Sequence, residues 1–207
     1  MKAAILDQLS RPRGWLAPLF ARLLNRQNRR LNGQAVAVLA PGADERVLEV
    51  GFGGGVGLAL LRQRQPELRL TGVEISTAML ARARRRFRSD EAAGLLTLVA
   101  AGVDALPFED ACFDAVISVN TIYFWPDLRA GLSEIQRVLR PRGRLILGVE
   151  APAQLEPLGF VERGFATPSY DDVATALGRG GFRYIRMLED PGHRMAVIRA
   201  ERPGEPG

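Results

Sequence analysis

The chain reads as an α/β domain built on a doubly wound, mostly parallel seven-stranded sheet, with additional helices at the N-terminus. Three observations predict it. Short apolar runs alternate with helical segments from residue 46 to residue 150, the pattern of successive βαβ units. The first run ends in a carboxylate and breaks into glycines before helical spacing resumes, VLEVGFGGGVGLALL at 47–61. The chain closes on FRYIRMLED and MAVIRAE joined by the turn PGHR, a hairpin that adds one antiparallel strand.

In order, residues 1–43 read as an amphipathic helical extension or lid that ends at the PGAD turn. Strands are predicted at 46–50, 69–74, 95–100 and 113–119, with helices at 55–64 and 76–88 between them, the second capped by Ser76. A helix at 127–140 stops at the Pro141–Gly143 turn, and RLILGVE forms the next strand. A Pro/Gly-rich excursion at 151–168 precedes a helix at 170–179 and the closing hairpin. The binding domain is expected over 44–202, and 203–207 reads as a disordered tail.

Bulk properties bound the chemistry. The 207 residues are 47% hydrophobic and 25% charged, as in a water-soluble domain with a single core. No apolar run approaches the roughly 20 residues needed to cross a bilayer, and the N-terminus lacks a secretory pattern, so a cytoplasmic location is expected. One cysteine, Cys112, and one histidine, His193, exclude an internal disulfide and a His/Cys zinc site, and no metal is expected. The net charge of +5 is carried almost wholly by arginine. The clusters at 26–30 and 82–88 show no interleaved aromatic stacking platform, so they read as solvated faces rather than a nucleic-acid surface.

Ligands of open parallel sheets bind beyond the carboxyl ends of the strands, where strand order reverses. The glycines lie on that rim, and Gly51, Gly53 and Gly55 let the backbone turn tightly and approach a ligand. Glu74 ends the second strand some 20 residues on, where a carboxylate accepts both ribose hydroxyls. A nucleoside ligand follows. The dinucleotide fingerprint G-x-G-x-x-G/A fails, because its sixth position falls on Val56 or Leu58. The pattern present is E-x-G-x-G-x-G, and an acid at Glu49 repels a pyrophosphate and suits a ligand bearing an ammonium group.

On VLEVGFGGG, GVEISTAMLARAR, LPFEDACFDAVIS and EIQRVLRPRGRLIL, in that order, the chain resembles the class I S-adenosylmethionine-dependent methyltransferases over about residues 45–150. The resemblance implies a Rossmann-like fold and S-adenosyl-L-methionine as cofactor. It implies that Glu49 and the backbone around Gly51, Gly53 and Gly55 hold the methionine portion. Glu74 then binds the ribose diol, with Ile75 and Met79 near the adenine. Relatives carry an acid before LPF that bonds the adenine amino group. Here Gly102 and Val103 hold the matching positions and the acid is displaced to Asp104. Asn120 would stand beside the sulfonium. Where relatives often carry two histidines, this chain has Tyr123 and Phe124.

Methyl transfer needs an aligned donor and acceptor, a dry pocket and, for some acceptors, a base. Tyr123, read as lying at the rim, and His193, in the turn of the final hairpin, are the two candidates for that assistance. Trp15, Phe20, Tyr123 and Trp125 are candidates for the wall of an apolar acceptor pocket. The leading expectation is methyl transfer to a small molecule at O, N or S, by a monomer or homodimer. Two alternatives stand beside it. GWLAPLFARLLNRQNRR has the bulk and charge of a surface-seeking helix, which would suit a phospholipid headgroup methyltransferase. The displaced acid and the absent histidines would suit a nucleoside-binding module that does not catalyse.

Overall fold

Alternation along each strand divides its side chains between two cores, one on each face of the sheet. On β1 (Arg46–Val50), Val47 packs on one face while Leu48 and Val50 pack on the other. The structure, a computed structural model, describes residues 29–156 and 160–204. A helix over residues 29–39 (α1) is followed by β1, α2 (Val56–Arg64), β2 (Arg69–Val73) and α3 (Thr77–Arg86). Next come α4 (Arg88–Ala92), β3 (Leu96–Val99), β4 (Phe113–Val119), α5 (Leu128–Val138) and β5 (Leu139–Glu150). The chain then forms α6 (Pro152–Leu155), α7 (Tyr170–Arg179), β6 (Arg183–Glu189) and β7 (Met195–Glu201).

The seven strands lie in the order β3-β2-β1-β4-β5-β7-β6. All pairings are parallel except those of β7, which runs against both β5 and β6. Helices α1, α2 and α3 cover one face through Leu31, Leu39, Leu58, Leu61 and Leu80, against Val47, Ile117 and Ile146. Helices α5 and α7 cover the other through Leu132, Ile135, Val173 and Leu177, against Leu48, Val116 and Leu147. Each such side chain contributes about 1.5–3 kcal/mol by leaving water, and burial on both faces fixes the register. Strand order reverses between β1 and β4, so the binding crevice opens there.

The structure differs from the sequence reading in three places. The helix predicted over 76–88 breaks at Phe87, whose ring turns inward beneath Gly55, and a short second helix follows. The helix predicted to reach residue 140 ends at Val138. Leu139 is extended and fully buried opposite Phe113, and Arg140 precedes a proline, a position that disfavours helix. Strand β5 therefore begins at once, and the Pro141–Gly143 stretch lies within it as an irregularity. The excursion after β5 also holds the single turns Pro152–Leu155 and Val161–Arg163. Residues 1–28, including Trp15, Phe20 and most of the predicted lid, lie outside the described residues, as does 205–207 of the tail. Among the described residues, no helix is long and apolar enough to cross a membrane.

Candidate functional site

The glycine turn sits on the crevice. Gly51 and Gly55 have φ of 72° and 73°, and Gly53 has 49°, all in the left-handed region. Each is there for a different reason. A Cβ on Gly51 would lie 2.6 Å from the Thr121 methyl, and one on Gly55 2.9 Å from the Phe87 ring. At Gly53, among the described residues other than its chain neighbours, no atom approaches closer than the Gly51 carbonyl at 4.0 Å, so this glycine keeps open a space that a ligand can enter. Arg86, in the last turn of α3, donates to the Gly54 and Gly55 carbonyls at 3.1 and 3.2 Å and stacks over Phe87, which ties the turn to that helix.

Two carboxylates face this turn. Glu74 follows β2, and its oxygens accept from Gly53 N at 2.9 Å and Ser76 N at 2.8 Å. Burial pushes its pKa up while those two donors pull it down. Glu49, on β1, is buried, with Oε1 where a side chain on Gly57 would begin. Its Oε2 has no hydrogen-bond partner among the described residues. Desolvation, helped by the nearby Glu74 charge, pushes the Glu49 carboxyl up to about 8. A buried oxygen of this kind calls for a cation or a hydrogen-bond donor from outside the chain.

Beyond Glu74 the fold gathers Ile75, Gly102 and Asp104. Ile75 is 48% exposed at the rim, whereas Met79 is 1% exposed and lies under the start of α3. A Cβ on Gly102 would lie 2.5 Å from the Asp104 carboxylate and 3.9 Å from Ile75 Cδ1. The acid two places later in sequence thus folds back into the side-chain space of Gly102. Val103 turns its side chain inward toward Gly131 of α5.

At the end of β4, Asn120 takes a φ of 55° and its amide donates to Glu150 Oε1 at 3.1 Å. Ser118 donates to the Val50 carbonyl and bonds Thr121, which also accepts from Trp125 Nε1 at 3.1 Å. The Trp125 ring lies against Gly131 on α5. Tyr123 is not on the rim as the sequence implies. It is buried, and its hydroxyl accepts from Glu150 N at 2.6 Å and donates to Glu150 O at 3.2 Å. Burial pushes its phenol far above the ordinary range, which removes it as a base. His193 lies in the turn between β6 and β7, two residues before Met195, the partner of Glu150 across the sheet. Its imidazole is 78% exposed and paired with Glu189, whose hydrogen bond and charge raise its pKa.

Three residues escape the sequence reading. Gly57 continues the alternate-glycine pattern and leaves room for Glu49. Arg86 is hidden in an arginine run. Glu150 ends a strand in Gly-Val-Glu, the same tripeptide that closes with Glu74, and that repeat was the available signal.

The structure thus combines a doubly wound sheet, a glycine turn over its switch point, an acid at the end of β2 that holds that turn, and a buried carboxylate oxygen without a partner among the described residues. A methyltransferase-domain family matches residues 48–147. The demethylmenaquinone methyltransferase of Thermus thermophilus is 34% identical over 159 residues, covering 73% of this chain and 69% of that protein. A phosphatidylethanolamine N-methyltransferase of Cereibacter sphaeroides is 31% identical over 163 residues, covering 78% and 75%. A chain from the complex between the Haloferax volcanii Trm112 methyltransferase activator and a methyltransferase superposes with a TM-score of 0.80 at 19% identity, covering 91% and 96%. That likeness shows the fold. The chain spans about half to two-thirds of the length of other curated relatives.

The chain belongs to the class I S-adenosylmethionine-dependent methyltransferases, whose cofactor is S-adenosyl-L-methionine. The residues present fit that group: the open side of Gly53, the Glu74 carboxylate beside it, and the unpartnered Glu49 oxygen below.

Proposed function

We propose that the chain transfers a methyl group from S-adenosylmethionine to a small, mostly apolar acceptor. The observation that carries this reading is the buried, unpartnered Glu49 Oε2 beneath the glycine turn, a seat for the ammonium group of an amino-acid-bearing nucleoside. Glu49 and the backbone of Gly51, Gly53 and Gly55 hold the methionine end. Glu74 accepts the ribose hydroxyls, and Ile75, with Met79 beneath it, borders the adenine with Gly102, Val103 and Asp104. Asp104 takes the part of the acid missing at position 102, because its carboxylate occupies that side-chain space.

When bound, the cofactor supplies a methyl group activated on sulfonium sulfur. The chain's own work is to align the acceptor behind that methyl and to keep water out. Asn120 stands beside the reacting atoms, and Tyr123 braces it by holding the Glu150 backbone. Half-buried Phe124, Phe165 and Tyr170 supply the apolar surroundings.

The test is calorimetry with S-adenosylhomocysteine, followed by transfer of a radiolabelled methyl group to panels of phenols, amines and thiols. Micromolar binding and labelling of one panel are expected. No binding by the wild-type chain refutes the reading. A lipid acceptor is the second reading, favoured by the Cereibacter relative's name and by the basic stretch at 26–30. Flotation with anionic vesicles, with and without residues 1–30, separates the two: no vesicle binding removes the lipid version.

A further inference from the structure

The glutamate that closes β5 has no part in holding the cofactor, yet it is built into the same rim. Val47 and Ile146 pack on the α1 face of the sheet, so Glu49, two residues after the first, and Glu150, four after the second, point to that same face. Gly148, between Ile146 and Glu150, lies against Leu31 of α1 and supports this assignment. Strand β4 separates β1 from β5 by about 10 Å across the sheet. Glu49 is level with Ile117 and Ile146, four residues short of Glu150, so the two glutamates lie roughly 16 Å apart, with Glu150 on the side away from the glycine turn.

The Glu150 carboxylate is mostly buried, and its only partner among the described residues is the Asn120 amide at 3.1 Å. Its backbone is clamped by the Tyr123 hydroxyl through both N–H and carbonyl, so the strand end cannot swing away. The phenols of Tyr123 and of Tyr170 on α7 lie near enough to feel the Glu150 charge, and Tyr123 is in ring contact with Phe124 and Phe160, centroids 6.3 and 5.8 Å away. One acid beside two tyrosines, one hydrogen bond beyond the residue beside the reacting atoms, has the composition of a seat for a molecule with a single polar head.

We infer that Glu150 is the acceptor-side carboxylate, and that the acceptor presents to it a nitrogen or oxygen bearing a proton. This rests on the methyl-transfer reading above and names the acceptor class for it. The acceptor's lone pair forms the new bond to the methyl carbon. The old carbon–sulfur bond breaks with its electron pair left on sulfur, and the acceptor's proton passes to a Glu150 oxygen. Burial raises the Glu150 pKa and the Asn120 amide opposes that, which suits a group that must take up a proton and later lose it. A thiolate acceptor has no such need.

The test uses two cofactor analogues and needs no known acceptor. S-adenosylhomocysteine lacks the methyl group, whereas sinefungin carries an amine where the methylsulfonium would be, pointed at the acceptor side. An ammonium held there, about 3–3.5 Å from the acceptor position, comes within ion-pair range of a carboxylate that serves the acceptor. Calorimetry on the full chain is expected to show sinefungin binding at least about fivefold more tightly than S-adenosylhomocysteine. Glu150→Gln keeps a carbonyl for the Asn120 amide, so it should leave S-adenosylhomocysteine affinity within about twofold while bringing the ratio close to one. Glu150→Asp should restore part of the preference, which a merely structural role would not do.

A wild-type chain without the preference overturns the inference. So does a Glu150→Gln chain that keeps it, or one that loses both ligands alike. Failure of the wild-type chain to bind either analogue instead overturns the cofactor assignment on which the inference rests.

Discussion

Glu74→Gln changes one oxygen into an amide nitrogen at nearly constant volume. In the native chain both oxygens accept backbone hydrogen bonds, from Gly53 N at 2.9 Å and Ser76 N at 2.8 Å. A glutamine can accept only one of them, because its NH2 must face the other N–H, donor against donor. The glycine turn or the start of α3 therefore loses its tie, and the ribose diol loses at least one acceptor. One lost hydroxyl bond of about 1–1.5 kcal/mol and one repelled N–H of similar cost amount to roughly 2–3 kcal/mol, a loss of about 30- to 150-fold in affinity. The fold itself should suffer less, because the substitution also removes a carboxyl whose burial is unfavourable. Calorimetry with S-adenosylhomocysteine at pH 7.5, with a thermal melt as control, reads both effects. An affinity within about threefold of wild type, less than roughly 0.7 kcal/mol, would refute the assigned ribose role.

Glu49 predicts a pH dependence. Burial pushes its carboxyl up to about 8 in the fold from an ordinary 4.5, so between those pH values the unfolded chain gives up a proton that the folded chain keeps. Stability therefore falls as pH rises from about 4.5 to 8 and levels off above, and Glu49→Gln should make that slope shallower in urea titrations at pH 5, 6.5 and 8.5. Pairing with a ligand ammonium reverses the balance. S-adenosylhomocysteine binding at pH 7 should release a proton, measurable as a buffer-dependent heat that Glu49→Gln abolishes. Gly53→Ala and Gly51→Ala should separate binding from folding. The first adds only left-handed strain of about 1–2 kcal/mol yet blocks the ligand, and the second also drives a methyl group into Thr121. If Gly53→Ala binds S-adenosylhomocysteine normally, the open space beside it is not the ligand's approach. Tyr123→Phe leaves the Glu150 N–H without its acceptor, a loss of about 1–3 kcal/mol, with about 2–4 °C of melting temperature per kcal/mol. An unchanged melting temperature would contradict that tie.

Much of the fold was legible because its signals are local. A five-residue apolar run such as RVLEV, the Ser76 cap, and a hairpin between two seven-residue strands each depend on neighbours within a few positions. Where the reading missed, a distant contact had overridden the local pattern. Leu139 left the helix because the Phe113 end of β4 gave it a buried place, and Phe87 broke α3 because Gly55 left space for its ring. Tyr123 read as a rim residue because nothing in TIYFWPD shows that its hydroxyl meets a strand end 27 residues away.

The site divides in the same way. The sequence alone determined the nucleoside half, because a glycine turn and the acids at Glu49 and Glu74 are set by backbone geometry within single βα units. Tertiary structure decided which of those acids is left wanting a partner among the described residues, that Asp104 folds back over Gly102, and that the end of β5 at Glu150 meets Asn120 and the buried Tyr123. The physical reason is that burial and hydrogen-bond satisfaction belong to the assembled sheet. A carboxylate's neighbours on the adjacent strand are fixed by strand order and register, and those are settled only when both faces of the sheet have found their cores.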